Sequence, residues 1–134
     1  MPTYYKHETE GIVHCYAVGN YTFEETYSNY KAALDDPKSA DGINVLIDVR
    51  QSKETRTSDE MRSIADLFAA SSTFKGRCAM LVSPDSAVRY GLARMLSAFA
   101  DMRNLKFSVF LEEKSALAWL KAKKSFIDSS DLRP

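Results

Sequence analysis

Apolar positions along this chain change period in a regular order, and that order predicts its elements. Residues 3–8 and 11–18 are rich in Tyr, Val and Ile around Glu10-Gly11, which reads as an antiparallel hairpin. The second of these strands is apolar on both faces, with Ile12, Tyr16 and Val18 on one and Val13, Cys15 and Ala17 on the other, as a strand inside a sheet requires. Thr22 with Glu25 forms a capping box. Phe23, Tyr27, Tyr30 and Leu34 then make the stripe of an amphipathic helix, which Asp35-Asp36-Pro37 ends. The β-branched run 43–49 predicts a buried strand. After a polar loop comes a second capping box, Thr57 with Glu60, with Ser58 as the alternative N-cap, followed by Met61, Ile64, Ala65 and Phe68 at helical spacing. A fourth strand over 76–82 is closed by Ser83-Pro84-Asp85, where Ser83 suits a cap and Pro84 the first helical position. The third helix carries Val88, Leu92, Met95, Leu96, Phe99 and Met102 as its expected core side. Residues 106–111 form a fifth strand, and Glu112-Glu113 suit the positive start of a fourth helix with Ala116, Leu117 and Leu120.

The order β β α β α β α β α places the chain in the α/β class. It predicts a mixed five-stranded sheet, a leading antiparallel hairpin followed by parallel crossovers, with four helices. The domain is expected over 1–124, with a C-terminal tail over 125–134. A chain of 134 residues buries roughly two-thirds of its unfolded surface and needs no disulfide or metal to fold. Its 18 basic and 18 acidic side chains cancel, which argues against nucleic acid as a partner. No apolar run reaches the length of a membrane span, and the start lacks the features of a signal peptide, so a cytoplasmic address and no integral membrane segment are expected.

Chemistry is sparse. Cys15 and Cys78 lie inside apolar strands and read as buried thiols. His7 and His14 sit opposite each other if the hairpin turn has two residues and on opposite faces if it has three, and neither case assembles a metal site. Phosphate-loop and nucleophile-elbow motifs are absent, and no cofactor is expected. In parallel α/β sheets ligands meet the loops at the carboxyl ends of strands. Here those ends carry Asp48 and Arg50, then Ser83 and Asp85, then Glu112 and Glu113.

The loop from Arg50 to Ser58 mixes hydroxyls with cations. Thr57 or Ser58, with Arg50 and Arg56 close by, is a candidate phosphorylation or anion site; the alternative is an ordinary N-cap. Tyr90 and Arg94, one helical turn apart, are a candidate partner surface, the alternative being a solvent-facing turn with Arg94 paired to an acid. Ala87, Gly91 and Ala98 form a small-residue strip that packing on the sheet would explain. The aromatics Phe23, Tyr27 and Tyr30 are expected in the core, although they could line an apolar cavity. Lys121, Lys123 and Lys124 cluster where a helix C-terminus favours cations. Between Asp48 and Arg62 stand four side chains of each sign, so a neutral total conceals a mixed-charge patch at the sheet's carboxyl edge.

The segment Arg89-Tyr90-Gly91-Leu92-Ala93-Arg94-Met95, then Phe107-Ser108-Val109-Phe110 and Ala116-Leu117-Ala118-Trp119-Leu120, resembles the SpoIIAA-like branch of the STAS superfamily. Leu46-Ile47-Asp48-Val49-Arg50 fits the same pattern, and the matching pieces extend from about residue 11 to residue 121. The resemblance implies a mixed sheet with helices packed on it and a binding module, since the superfamily includes anti-sigma-factor antagonists and is likened to the CRAL-TRIO lipid-transfer domains. In those antagonists the phosphorylated serine lies in an Asp-Ser-Ser-Gly motif at the start of the helix after the third strand. The corresponding stretch here, Thr57-Ser58-Asp59-Glu60, departs from it. Asp128-Ser129-Ser130-Asp131 lies in the tail, away from that position. The leading expectation is a non-enzymatic regulatory or protein-interaction module of STAS-like type, open to homodimerisation. A carrier of a small apolar ligand is the alternative, and an enzyme using Asp48, Arg50, Ser83 and Asp85 is a third reading.

Overall fold

A computed structural model describes residues 2–122. The elements run β1 (Thr3–Thr9), β2 (Ile12–Gly19), α1 (Phe23–Asp35), β3 (Ile43–Ser52), α2 (Ser58–Ala70), β4 (Phe74–Leu81), α3 (Ala87–Asp101), β5 (Lys106–Phe110) and α4 (Glu113–Lys121), with a 3-10 turn at Pro37–Ser39. The strands lie in chain order, β1-β2-β3-β4-β5. The first pair is antiparallel and the rest are parallel, which is the mixed sheet the periodicity predicts. Helices α1, α2 and α3 cover one face, over Val13, Cys15, Val45, Ile47, Cys78, Met80 and Phe107. Among the described residues the opposite face has only α4, whose Ala116 and Leu120 bury Ile12, Leu46, Ala79 and Leu81. No helix among the described residues is long and apolar enough to cross a membrane.

Both capping boxes form, and Thr57 rather than Ser58 is the cap of α2. Met61, Ile64, Ala65 and Phe68 are all buried. The hairpin turn is the two-residue one, because Thr9 stands opposite Ile12 and Gly11 takes the φ of +74° that a glycine adopts without strain. A register shift between Lys6 and Thr9 then sets Lys6, not His7, against His14. The two imidazoles consequently point apart: His7 Nε2 bonds Ser39 Oγ at 3.1 Å, and His14 Nε2 bonds Thr9 Oγ1 at 3.0 Å. Cys15 and Cys78 are free and buried, and burial pushes the Cys15 thiol up to about 12, so neither is a thiolate near neutral pH.

Three expectations about helix faces are corrected. The core side of α1 is Thr26, Tyr30, Ala33 and Leu34, whereas Phe23 and Tyr27 are half-exposed and line a shallow groove with Ser63 and Asp66. Thr26 tolerates burial because its hydroxyl donates to the Thr22 carbonyl at 3.3 Å. Helix α3 starts at Ala87, later than Pro84, because the Ser83 hydroxyl is spent on Asp85 and Ser86 takes the cap, accepting the Arg89 N–H at 3.3 Å. Its buried residues are Ala93, Leu96 and Ala100, while Val88, Met95 and Met102 are exposed. The edge-on contacts of Phe68 with Phe74 and Phe107, at 4.9 and 5.2 Å between centroids, already fill the layer beside β5. The helix seats through Ala93, Leu96 and Ala100, with the expected Leu92 and Phe99 half-buried against the same core. Ala87, Gly91 and Ala98 are exposed as well, so that strip does not pack on the sheet. Lys121 is exposed at the end of α4. Lys123, Lys124 and the tail with Asp128-Ser129-Ser130-Asp131 lie outside the described residues.

Candidate functional site

Parallel pairing of β2, β3 and β4 brings their carboxyl ends to one edge, where the starts of α1, α2 and α3 close over them. Between these elements, on the three-helix face, lies a pocket. Its inner part measures about 70 Å³, and the space including the open mouth about 570 Å³. Tyr30, Ile47, Met61, Ile64, Met80 and Leu96 give it an apolar floor. The rim is polar, with Tyr21, Thr26, Ser52, Glu54, Arg56 and Arg89.

Among the described residues Arg56 is held in place without an acid. Its guanidinium lies over the Tyr21 ring at 5.0 Å and near Phe23 at 5.9 Å. Its Nη2 donates to the Tyr21 carbonyl at 3.4 Å and to Thr26 Oγ1 at 3.3 Å, and its Nη1 to the Thr55 carbonyl at 2.9 Å. Arg89 enters from the first turn of α3, with Nη1 donating to Ser86 Oγ at 3.2 Å. Its Nε is buried and has no acceptor among the described residues. The Tyr21 and Ser52 hydroxyls bond each other at 2.5 Å across the same rim. Two guanidiniums and one carboxylate thus stand above an apolar floor.

The predicted site residues divide between the two faces of the sheet. Asp48 and Arg50 lie on the α4 face, where Arg50 Nη2 meets Asp48 Oδ2 at 2.6 Å and Glu113 Oε1 at 3.3 Å. They border a shallow cleft there with Tyr4, Tyr16, Val18 and Gln51. The Asp48 bond is the chief reason the Arg50 pKa is raised, so this guanidinium is already neutralised. Arg50 is therefore not brought to Thr57 or Ser58. Thr57 accepts the Glu60 N–H at 3.1 Å, and Glu60 Oε1 accepts the Thr57 N–H at 2.9 Å. With Asp59 beside it, this helix start is already served by its own acids, and the arrangement is that of an N-cap. Ser58 is exposed at the first helical position.

Ser83 and Asp85 are hydrogen-bonded to each other. Tyr90 and Arg94 are exposed on the outer side of α3, and Arg94 has no ion pair among the described residues. Among those residues no three His, Cys, Asp or Glu side chains cluster as metal ligands. Of the mixed-charge patch, Arg62 pairs with Asp59 at 2.6 Å and Arg50 with Asp48, which leaves Lys53 and Arg56, and of these Arg56 lines the pocket.

Sequence reading reached Arg56 but passed over Arg89 as a ligand contact. The available signal was positional: both arginines fall at helix starts that follow the two middle parallel strands. Comparison with family models, with curated proteins and with solved structures gave no match. Fold and site together define a class, an α/β domain with a small amphipathic pocket at the carboxyl edge of its sheet.

Proposed function

We propose that this chain is a non-enzymatic regulatory module of STAS-like type, acting in the cytoplasm, whose ligand is a small anion with a short apolar tail. The mixed sheet with packed helices supports the STAS-like reading at the level of fold. One observation carries the ligand class: the buried Arg89 Nε–H without an acceptor, beside Arg56, above an apolar floor. A buried charged donor left unpaired costs about 1–3 kcal/mol or more, so an incoming carboxylate oxygen is favoured there over a neutral group. The floor takes a short alkyl chain, and the inner volume limits its length. The same geometry unites the regulatory and carrier readings, since a module that changes partner affinity needs a ligand to read. Ser83 and Asp85 engaged with each other, Asp48 and Arg50 locked in an ion pair, and both imidazoles hydrogen-bonded elsewhere support the non-enzymatic reading.

Hexanoate is a suitable probe, because eight heavy atoms at roughly 0.5 kcal/mol each give a Kd near the millimolar range. In a methyl NMR titration, hexanoate is expected to shift the Ile47, Met61, Met80 and Leu96 signals saturably. Hexanol should shift them less, and Arg89→Gln should weaken hexanoate about tenfold, the scale of one charge-assisted hydrogen bond. Equal affinities for the acid and the alcohol, or no saturable shift with either, sinks the proposal.

A further inference from the structure

The outer side of α3 carries an apolar seam with coiled-coil spacing. Six large apolar side chains are exposed among the described residues, and four of them, Val88 (64%), Tyr90 (40%), Met95 (37%) and Met102 (77%), stand on this one helix or at its C-cap. Val88, Gly91, Met95, Ala98 and Met102 alternate at three- and four-residue intervals, so they fall on one line along the helix. That line faces away from the buried Ala93, Leu96 and Ala100. Large and small members alternate: Val88, Met95 and Met102 stand proud, and Gly91 and Ala98 lie between them.

We infer that this seam binds a second copy of the chain, with the two α3 helices antiparallel about a two-fold axis. The choice of occupant rests on complementarity of the seam with itself. When one α3 is reversed against another so that Met95 meets the partner's Ala98, Met102 meets the partner's Gly91, so that both methionines face a small residue and Val88 lies past the end of the partner helix. The flanking charges fall into place in the same register. Arg94 and Asp101 border the seam along one edge, and both are exposed. Neither has an ion pair among the described residues. Two turns of helix separate them within one copy, but antiparallel pairing sets Arg94 of one beside the partner's Asp101, twice over. A parallel pairing would set Arg94 against the partner's Phe99 and forgo both contacts.

Gly91 provides a test that spares the monomer. A Cβ added there meets nothing within 4 Å, and an exposed glycine inside a helix costs roughly 1 kcal/mol relative to alanine. Gly91→Leu should therefore leave the melting temperature of the monomer unchanged or raised, while filling the space meant for the partner's Met102. Sedimentation equilibrium of the full chain is expected to show a monomer–dimer equilibrium, with the dimer Kd raised roughly tenfold or more by Gly91→Leu. Arg94→Asp should weaken the dimer by setting like charges together, and Arg94→Asp with Asp101→Arg should restore it. A chain that stays monomeric at millimolar concentration overturns the inference. So does a dimer indifferent to Gly91→Leu, or a charge reversal that the second substitution fails to rescue.

Discussion

Tyr5 donates its hydroxyl to Asp36 Oδ2 at 2.7 Å, tying the first strand to the turn that follows α1. That bond is the main reason the Tyr5 pKa rises to about 12 and the main reason the Asp36 carboxyl falls below its usual range. The two shifts have opposite consequences. Between about pH 10 and about 12, the unfolded chain gives up the Tyr5 proton and the folded chain keeps it, so stability falls as pH rises through this window. At the acid end the unfolded chain protonates Asp36 first, so its contribution is present above the ordinary carboxylate pKa and fades as pH falls through the folded value. Tyr5→Phe should accordingly cost most at neutral pH, with the gap to wild type narrowing toward both extremes in denaturant melts. A constant gap from about pH 2 to about pH 12 would mean that the bond contributes nothing. The capping residues Thr22 and Thr57 were legible in the sequence because a cap depends on three neighbouring positions. The role of Arg50 was not legible, since its second acid, Glu113, is 63 positions away and arrives only with α4.

Among the described residues helix α4 is the sole helical cover of its face of the sheet, and one buried cation pins it. Arg77, 3% exposed in β4, sends Nη1 to the carbonyls of Trp119 and Ala122 at 3.0 Å each and sets its guanidinium over the Trp119 ring at 5.6 Å. A cation on the last carbonyls of a helix satisfies acceptors that have no intrahelical partner and complements the helix dipole. Arg77→Met keeps the apolar bulk and removes those bonds. We expect a loss of roughly 1.5–3 kcal/mol, the range for hydrogen bonds to a charged group, together with faster amide exchange across α4 than across α2. Unchanged exchange in α4 would show that apolar packing alone holds it. From the sequence, Arg77 is a charge inside a strand pattern with no stated purpose, because its partners belong to the last helix. The face of α3 was legible only in part. Leu96 is buried and Leu92 and Phe99 pack half-buried on the core, but Val88, Met95 and Met102 fall outside, because periodicity does not tell where along a broad apolar arc the core stops.

At the scale of the molecule, element order and strand direction were readable because the shift between period two and period 3.6 is local to each segment. The distribution of helices, three on one face and one on the other, follows from strands laid side by side in sequence, since right-handed crossovers progressing in one direction all pass over the same face. The pocket at the carboxyl edge was anticipated as a place, and its chemistry was not, because Arg56 and Arg89 meet only when α2 and α3 stand side by side. Strand order has one more consequence, for how the chain reaches this state. Each strand pairs with the one made just before it, so no hydrogen-bonded edge has to wait for a distant segment, and every closure spans at most one helix and its loops. Small loops close cheaply and early, which places such a topology on the fast side of mixed α/β domains. Stopped-flow refolding should finish within about a second at 25 °C, the hairpin and middle strands gaining amide protection no later than β5. A dominant phase lasting many seconds would show that something other than the sheet's topology limits the search. On the ribosome, the same order lets each new strand find its neighbour already waiting.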